Sequence, residues 1–203
     1  MGHDQGDPAM RMRSARRVQI VGGSGAGKSQ LAQRLGKILN LPVHHLDEIA
    51  IDQASRRHRT SADCRTAARE IAAGASWIAE GIYVDWAGDL FRTADVIVWL
   101  DNVSARQATA RIVRRFAKSA LSTARAERGV RRFTRFRDYA RELRGLAQAM
   151  RETYSYHRRS RSPRKDAEAR SRRGTAATLG HYSAKTIRLR GQRDVDALIR
   201  SVS

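Results

Sequence analysis

Gly22-Gly23-Ser24-Gly25-Ala26-Gly27-Lys28-Ser29 is the stretch on which the fold turns. It fits the pattern G-x-x-x-x-G-K-[ST] at every position. Ahead of it Val18-Gln19-Ile20-Val21 reads as a short buried strand. Behind it Leu31, Ala32, Leu35, Ile38 and Leu39 recur on one helical face and predict a helix over residues 28–40. A glycine loop between a strand and a helix start is built for phosphate. Lacking Cβ atoms, the glycines let backbone N–H groups turn inward onto phosphate oxygens. The helix N-terminus adds its dipole and its free N–H groups. Lys28 supplies a mobile cation for the β- and γ-phosphates, and the Ser29 hydroxyl is a ligand for Mg²⁺.

Working outward, the chain alternates strands and helices. Residues 17–21 form the first predicted strand. Leu41-Pro42 breaks the helix, and Val43-His44-His45-Leu46 reads as a second strand ending at Asp47-Glu48. Residues 61–73 read as a helix ended by Gly74. Trp77-Ile78-Ala79 is a third strand ending at Glu80-Gly81, and Val96-Ile97-Val98-Trp99-Leu100 a fourth ending at Asp101. Ser104-Ala105-Arg106-Gln107 is a capping-box pattern that opens a further helix. Residues 134–156 carry helical spacing at Phe136, Tyr139, Leu143, Leu146 and Met150. Residues 157–174 are Arg/Ser-rich and broken by Pro163, a mobile loop or an exposed helix. Thr186-Ile187-Arg188-Leu189 is a last strand, and residues 194–202 a closing helix.

This order predicts an α/β fold of the P-loop NTPase class. The layers are α/β/α, around a central parallel sheet of about five strands, with a basic helical lid or C-terminal region. One domain is expected over residues 17–203, behind a flexible tail at 1–16, with the lid or insert at roughly 117–180. Met10 and Met12 are further candidates for the natural start. Gly22, Asp47, Glu80 and Asp101 all stand at C-terminal strand ends. Ligands bind there in such sheets, so these polar residues are expected to converge.

The 203 residues, 41% of them hydrophobic, are enough for one real core. Cys64 is the only cysteine, which excludes an intramolecular disulfide and a cysteine zinc site and suits a reducing, cytoplasmic setting. No apolar run reaches membrane-spanning length, and the N-terminus has no signal-peptide core. The net charge of +20 is uneven: residues 1–101 hold 13 Lys+Arg against 12 Asp+Glu, while residues 102–203 hold 27 against 8. Two readings stand: a polyanion-binding face that admits nucleic acid, or solvated helix faces rich in arginine, since only 5 of the 40 basic residues are Lys.

Mg²⁺ takes oxygen ligands. Beside Ser29, the candidates are Glu80, which precedes Gly81, and Asp101, which closes the longer apolar run. Asp47 is placed to accept the proton of an acceptor hydroxyl or to hold that hydroxyl in line with the γ-phosphate. His44 and His45 are adjacent on a strand and point to opposite faces, which makes a poor shared metal site; one of them is expected in the core. Arg111 and Arg115 share a helix face and suit the charge that spreads over a transferring phosphoryl group. The basic stretch at residues 125–137 suits a lid that excludes water.

These residues carry a resemblance. The arrangement resembles the small P-loop kinases of the adenylate and shikimate kinase type. More closely, residues 20–29, His45-Leu46-Asp47, Trp77-Ile78-Ala79-Glu80-Gly81-Ile82-Tyr83 and residues 94–101 look like the DNA topology modulation protein family. The likeness covers residues 17–116 and resumes over 186–199. It implies ATP phosphates on Gly22, Gly23, Ser24, Gly25, Ala26, Gly27, Lys28 and Ser29, and Mg²⁺ near Ser29 with Glu80 as the preferred carboxylate. It puts Asp47 and Glu80-Gly81 towards the acceptor, Arg111 near the base and Arg115 near the phosphates. The base would also approach Arg190-Gly191-Gln192-Arg193. The sequence departs from that family in having Glu80 for the usual Asp, Ile82 for Asn, and no Gly-Cys in the lid stretch.

The reading that follows is an ATP-binding kinase that phosphorylates a small molecule such as a nucleoside or nucleotide. The alternatives are an ATPase associated with nucleic acid, and a nucleotide-binding module with little turnover. Aromatics make up only 6% of the chain, which supplies a stacking platform for single strands poorly.

Overall fold

β1 (Arg17–Gly22) sits at the centre of a five-stranded sheet in the order β2-β3-β1-β4-β5, every neighbouring pair parallel. The others are β2 (Val43–His45), β3 (Trp77–Gly81), β4 (Val96–Leu100) and β5 (Thr186–Leu189). This computed structural model describes residues 7–52, 57–101, 109–110, 113–114, 147, 150–151, 153–154, 156 and 169–203. The helices, in chain order, are α1 (Pro8–Ser14), α2 (Lys28–Leu39), α3 (Leu46–Ala50), α4 (Ser61–Ala73), α5 (Gly88–Thr93), α6 (Arg172–Gly180) and α7 (Gln192–Val202).

β3 and β4 are buried along their whole length, which is why they read as unbroken apolar runs rather than alternating ones. The two-residue period of the strands splits their side chains between two cores. Val18, Ile20, Ile78 and Val98 face α2 and α7, packing against Leu31, Leu35, Leu198 and Ile199. Val21, Ala79, Ile97 and Trp99 face α3, α4, α5 and α6, packing against Leu46, Ala68, Leu90 and Leu179. The result is three layers, α/β/α. Cys64 of α4 lies in the second core as a free thiol, its pKa raised by that burial.

Local sequence sets the helix ends. α2 stops at Asn40, whose φ of 53° is a left-handed cap; Leu41 N–H bonds the Gly36 carbonyl, and Pro42 follows. α4 starts at Thr60, whose hydroxyl accepts from the Asp63 N–H at 3.2 Å.

The expected loose tail is corrected over part of its length. Residues 8–14 form α1, because Asp7 caps the Ala9 N–H at 3.0 Å and Pro8 fits the first turn. Met12 is fully buried against the α7 side of the sheet, which stabilises that docking by about 2 kcal/mol. α5 was not read from the sequence at all. The C-terminal end of the expected lid also behaves otherwise: Ser171, Thr175 and Leu179 are buried in the body of the domain. Of the predicted helix over 134–156, Ala147, Met150, Arg151, Thr153, Tyr154 and Tyr156 are helical. The capping box at 104–107 and the basic stretch at 125–137 lie outside the described residues. Among the described residues no helix is long and apolar enough to cross a membrane.

Candidate functional site

The loop between β1 and α2 owes its shape to its glycines. Gly25 (φ 75°) and Gly27 (φ 95°) occupy the left-handed region, which side chains resist. Gly22 is needed for space: a Cβ there would lie 2.7 Å from the Leu100 carbonyl oxygen of β4. The Gly23 carbonyl accepts from the Ala26 N–H at 3.2 Å and from Lys28 Nζ at 3.2 Å. The ammonium thus rests on the loop it belongs to. Ser24 and Ala26 complete the loop, Ala26 being buried.

Ser29, in the first turn of α2, donates its hydroxyl to Glu80 Oε1 at 2.8 Å. His45 Nδ1 meets the same oxygen at 2.7 Å. The fold makes this meeting unavoidable. His45 and Glu80 are register partners on β2 and β3, and Ile20 of β1 lies beside Glu80 on the other side. Glu80 is only 2% exposed, and its Oε2 is buried with no partner among the described residues. A buried carboxylate oxygen left without a donor is costly, and one beside a phosphate loop fits a cation or a cation's water. The donor set, a hydroxyl and a carboxylate with room for water, matches what Mg²⁺ takes. No cluster of three or more His, Cys, Asp or Glu that would hold a metal by protein ligands alone occurs among the described residues.

The expectation that one histidine of the pair is core is corrected. Both are half-buried, and His45 joins the carboxylate. His44 points away; burial first, then the neighbouring His45, lowers its pKa.

Asp101 has a different setting. Arg172 forks onto it with Nε to Oδ1 at 2.6 Å and Nη2 to Oδ2 at 2.8 Å. Arg188 adds Nε at 3.0 Å and Nη2 at 2.5 Å, both to Oδ2. Burial acts to raise the Asp101 pKa, but the bonds from Arg172 and Arg188 outweigh it and hold the carboxyl below the usual range. Arg188 also lies 4.4 Å over the Trp99 ring.

Asp47 is exposed in the first turn of α3, one residue beyond buried Leu46. Leu46 fits there because Gly81 lacks a Cβ, which would lie 2.8 Å from the Leu46 Cβ. Past Gly81, Tyr83 stacks on Trp86 at 4.7 Å, and Arg170 lies 4.8 Å over the Tyr83 ring. Arg170 is forked onto Asp85 at 2.9 and 2.6 Å. Glu80 and Ser29 are therefore brought together with the loop, and Asp101 is not one of them. Arg111 and Arg115 lie outside the described residues. In the loop of residues 190–193, the Arg190 and Gly191 N–H groups bond Asp194 Oδ2 at 2.6 and 3.2 Å, which closes the start of α7.

Sequence reading missed His45, Tyr156 and the Arg170–Asp85 fork. For His45 a signal existed: it lies near the C-terminal end of one predicted parallel strand, and Glu80 ends another. Arg170 carried none, sitting in a run of arginines.

No protein-family model and no curated protein matches the chain. Solved structures do. A gluconokinase from Sinorhizobium meliloti 1021 is similar with a TM-score of 0.46 and 14% identity, over 92% of this chain and 88% of that one. A shikimate kinase from Bacteroides thetaiotaomicron gives 0.44 and 14%, over 92% and 96%. A deoxyadenosine kinase from M. mycoides gives 0.42 and 14%, over 91% and 94%. At 14% identity and TM-scores below 0.5 they assign no role to this chain. These comparisons do not confirm the resemblance to DNA topology modulation proteins.

Proposed function

We propose that this protein is an ATP-dependent phosphotransferase acting on a small-molecule acceptor, a nucleoside, a nucleotide or a similar hydroxyl or phosphate compound. The observation that carries the reading is Glu80: a buried carboxylate, tied by one oxygen to Ser29 of the loop, with its other oxygen unpartnered among the described residues.

In this reading the loop amides of residues 22–29 hold the phosphates, and Lys28 moves from the Gly23 carbonyl to the β- and γ-oxygens. Ser29 and Glu80 hold Mg²⁺, which when bound neutralises charge on those oxygens. His45 keeps the Glu80 carboxylate turned towards Ser29. Asp47, in the first turn of α3, orients the acceptor hydroxyl and takes its proton as the oxygen bonds the γ-phosphorus and the bond from that phosphorus to the β,γ-bridging oxygen breaks, ADP leaving with the bond pair. Arg111 and Arg115 meet the charge that spreads over the transferring group.

The test is ADP release with ATP and Mg²⁺ across a panel of nucleosides, nucleotides and hydroxy acids, with Lys28→Ala as control. Acceptor-dependent release that Lys28→Ala abolishes is expected. ATP binding without release for any acceptor would instead make this a nucleotide-binding module. Binding to neither ATP nor GTP would remove the reading altogether.

A further inference from the structure

We propose that Tyr156 is a positioning residue for the phosphate loop, its ring setting the Gly23 peptide from which the loop amides turn towards the triphosphate; this rests on the nucleotide-binding reading above. The pattern G-x-x-x-x-G-K-[ST] asks for glycine at 22 and 27 and leaves 23 open. The backbone at Gly23 does not ask for it either, since the positive-φ glycines among the described residues are Gly25 and Gly27. What asks for it is Tyr156. A Cβ at Gly23 would lie 2.6 Å from Tyr156 Cδ1, 2.9 Å from Cε1 and 3.1 Å from Cγ. The ring fills the place where any side chain at 23 would go.

The ring is itself held. Tyr156 is 3% exposed, and Trp99 Nε1 donates to its hydroxyl at 3.3 Å. Trp99 lies under Arg188, and Arg188 is fixed by Asp101 together with Arg172. One peptide of the loop is thus gripped twice: by an aromatic face from the end of the predicted 134–156 helix, and through its carbonyl by Lys28. Glycine-rich backbone has many conformations to lose on binding, and fixing it beforehand removes that cost from the affinity for phosphate. Trp99, Asp101, Arg172 and Arg188 form a chain of contacts that ends on the Tyr156 hydroxyl.

The experiment measures Kd for MgATP and for inorganic tripolyphosphate, with melting temperature alongside, in wild type, Tyr156→Phe, Tyr156→Ala, Gly23→Ala and the Gly23→Ala/Tyr156→Ala double variant. Tyr156→Ala is expected to weaken both ligands by the same factor, about tenfold, because the loop touches phosphate and not base. Tyr156→Phe, which keeps the ring, stays within about twofold. Gly23→Ala alone weakens both ligands, and the double variant binds more tightly than Gly23→Ala because the clash is gone. Should Tyr156→Ala not fold, Tyr156→Leu takes its place in the cycle. Wild-type tripolyphosphate affinity in folded Tyr156→Ala, or a double variant whose loss is the product of the two single losses, overturns the proposal. If wild type binds neither ligand, the nucleotide reading beneath it falls first.

Discussion

Glu80 and Asp101 stand at the C-terminal ends of β3 and β4, the two strands that flank β1, and their surroundings differ. Glu80, at the end of β3, shares one oxygen between the Ser29 hydroxyl and His45, and its other oxygen has no partner among the described residues. Asp101, just past β4, has both oxygens filled by Arg172 and Arg188. One carboxylate has capacity left for a ligand, and the other has spent it on joining β4, β5 and α6. Buried acceptor atoms are generally satisfied, so Glu80 Oε2, which has no partner among the described residues, is the oxygen with room for an external one. A strand-end position does not separate the two; the partners do.

The contrast breaks most easily at Glu80. Glu80→Gln keeps the shape and removes the charge, and in the proposed reaction it is expected to lower kcat/KM about 100-fold. Its melting temperature should stay within about 2 °C of wild type. A Glu80→Gln protein with full Mg²⁺-dependent turnover would make the two carboxylates equivalent. His45→Asn tests how Glu80 is held: about a tenfold loss is expected, read as a raised Mg²⁺ requirement in a titration at fixed ATP. Asp101→Asn is expected to do the reverse, leaving MgATP affinity within about threefold while costing about 1 kcal/mol in urea unfolding. That cost is held down by the exposure of Arg172 and Arg188, 49% and 37%.

The smallest effect is one of pH. The Asp101 pKa is depressed in the folded chain, so its stabilisation is complete above the ordinary carboxylate value of 3.8 and is lost as pH falls from there through the folded value. The stability gap between wild type and Asp101→Asn should therefore narrow below about pH 4. A constant gap down to pH 2 would mean that the arginine forks contribute nothing at neutral pH.

What the sequence revealed was local, and what it hid was a matter of sheet order. The loop, β4, α4 and the β5 strand all follow from short-range patterns. A run of five apolar residues, a helical stretch ended by Gly74, or Gly-Lys-Ser ahead of a helical face need no knowledge of neighbours. The choice between Glu80 and Asp101 needed to know that β2 ends beside β3 and that Arg172 and Arg188 reach the end of β4. His45 was read as a strand residue with one face to fill, whereas its partner lay across a ladder that residue patterns do not announce. α1 was legible in principle, from Asp7-Pro8, and was hidden by the polar, glycine-containing residues before it. Tyr156 had no local sign at all, since its contact is with a glycine that leaves no side chain to match.

The place of β1 in the sheet carries a last consequence. It is paired on both sides, with β3 and with β4, whereas among the described residues β2 and β5 are each paired on one side. The N–H groups of β1 should therefore be among the slowest in the molecule to trade hydrogen for deuterium, and those of β2 and β5 should go first. The loop proposed to hold phosphate is mounted on that central strand, so moderate warming should erode the edges of the sheet before the proposed site.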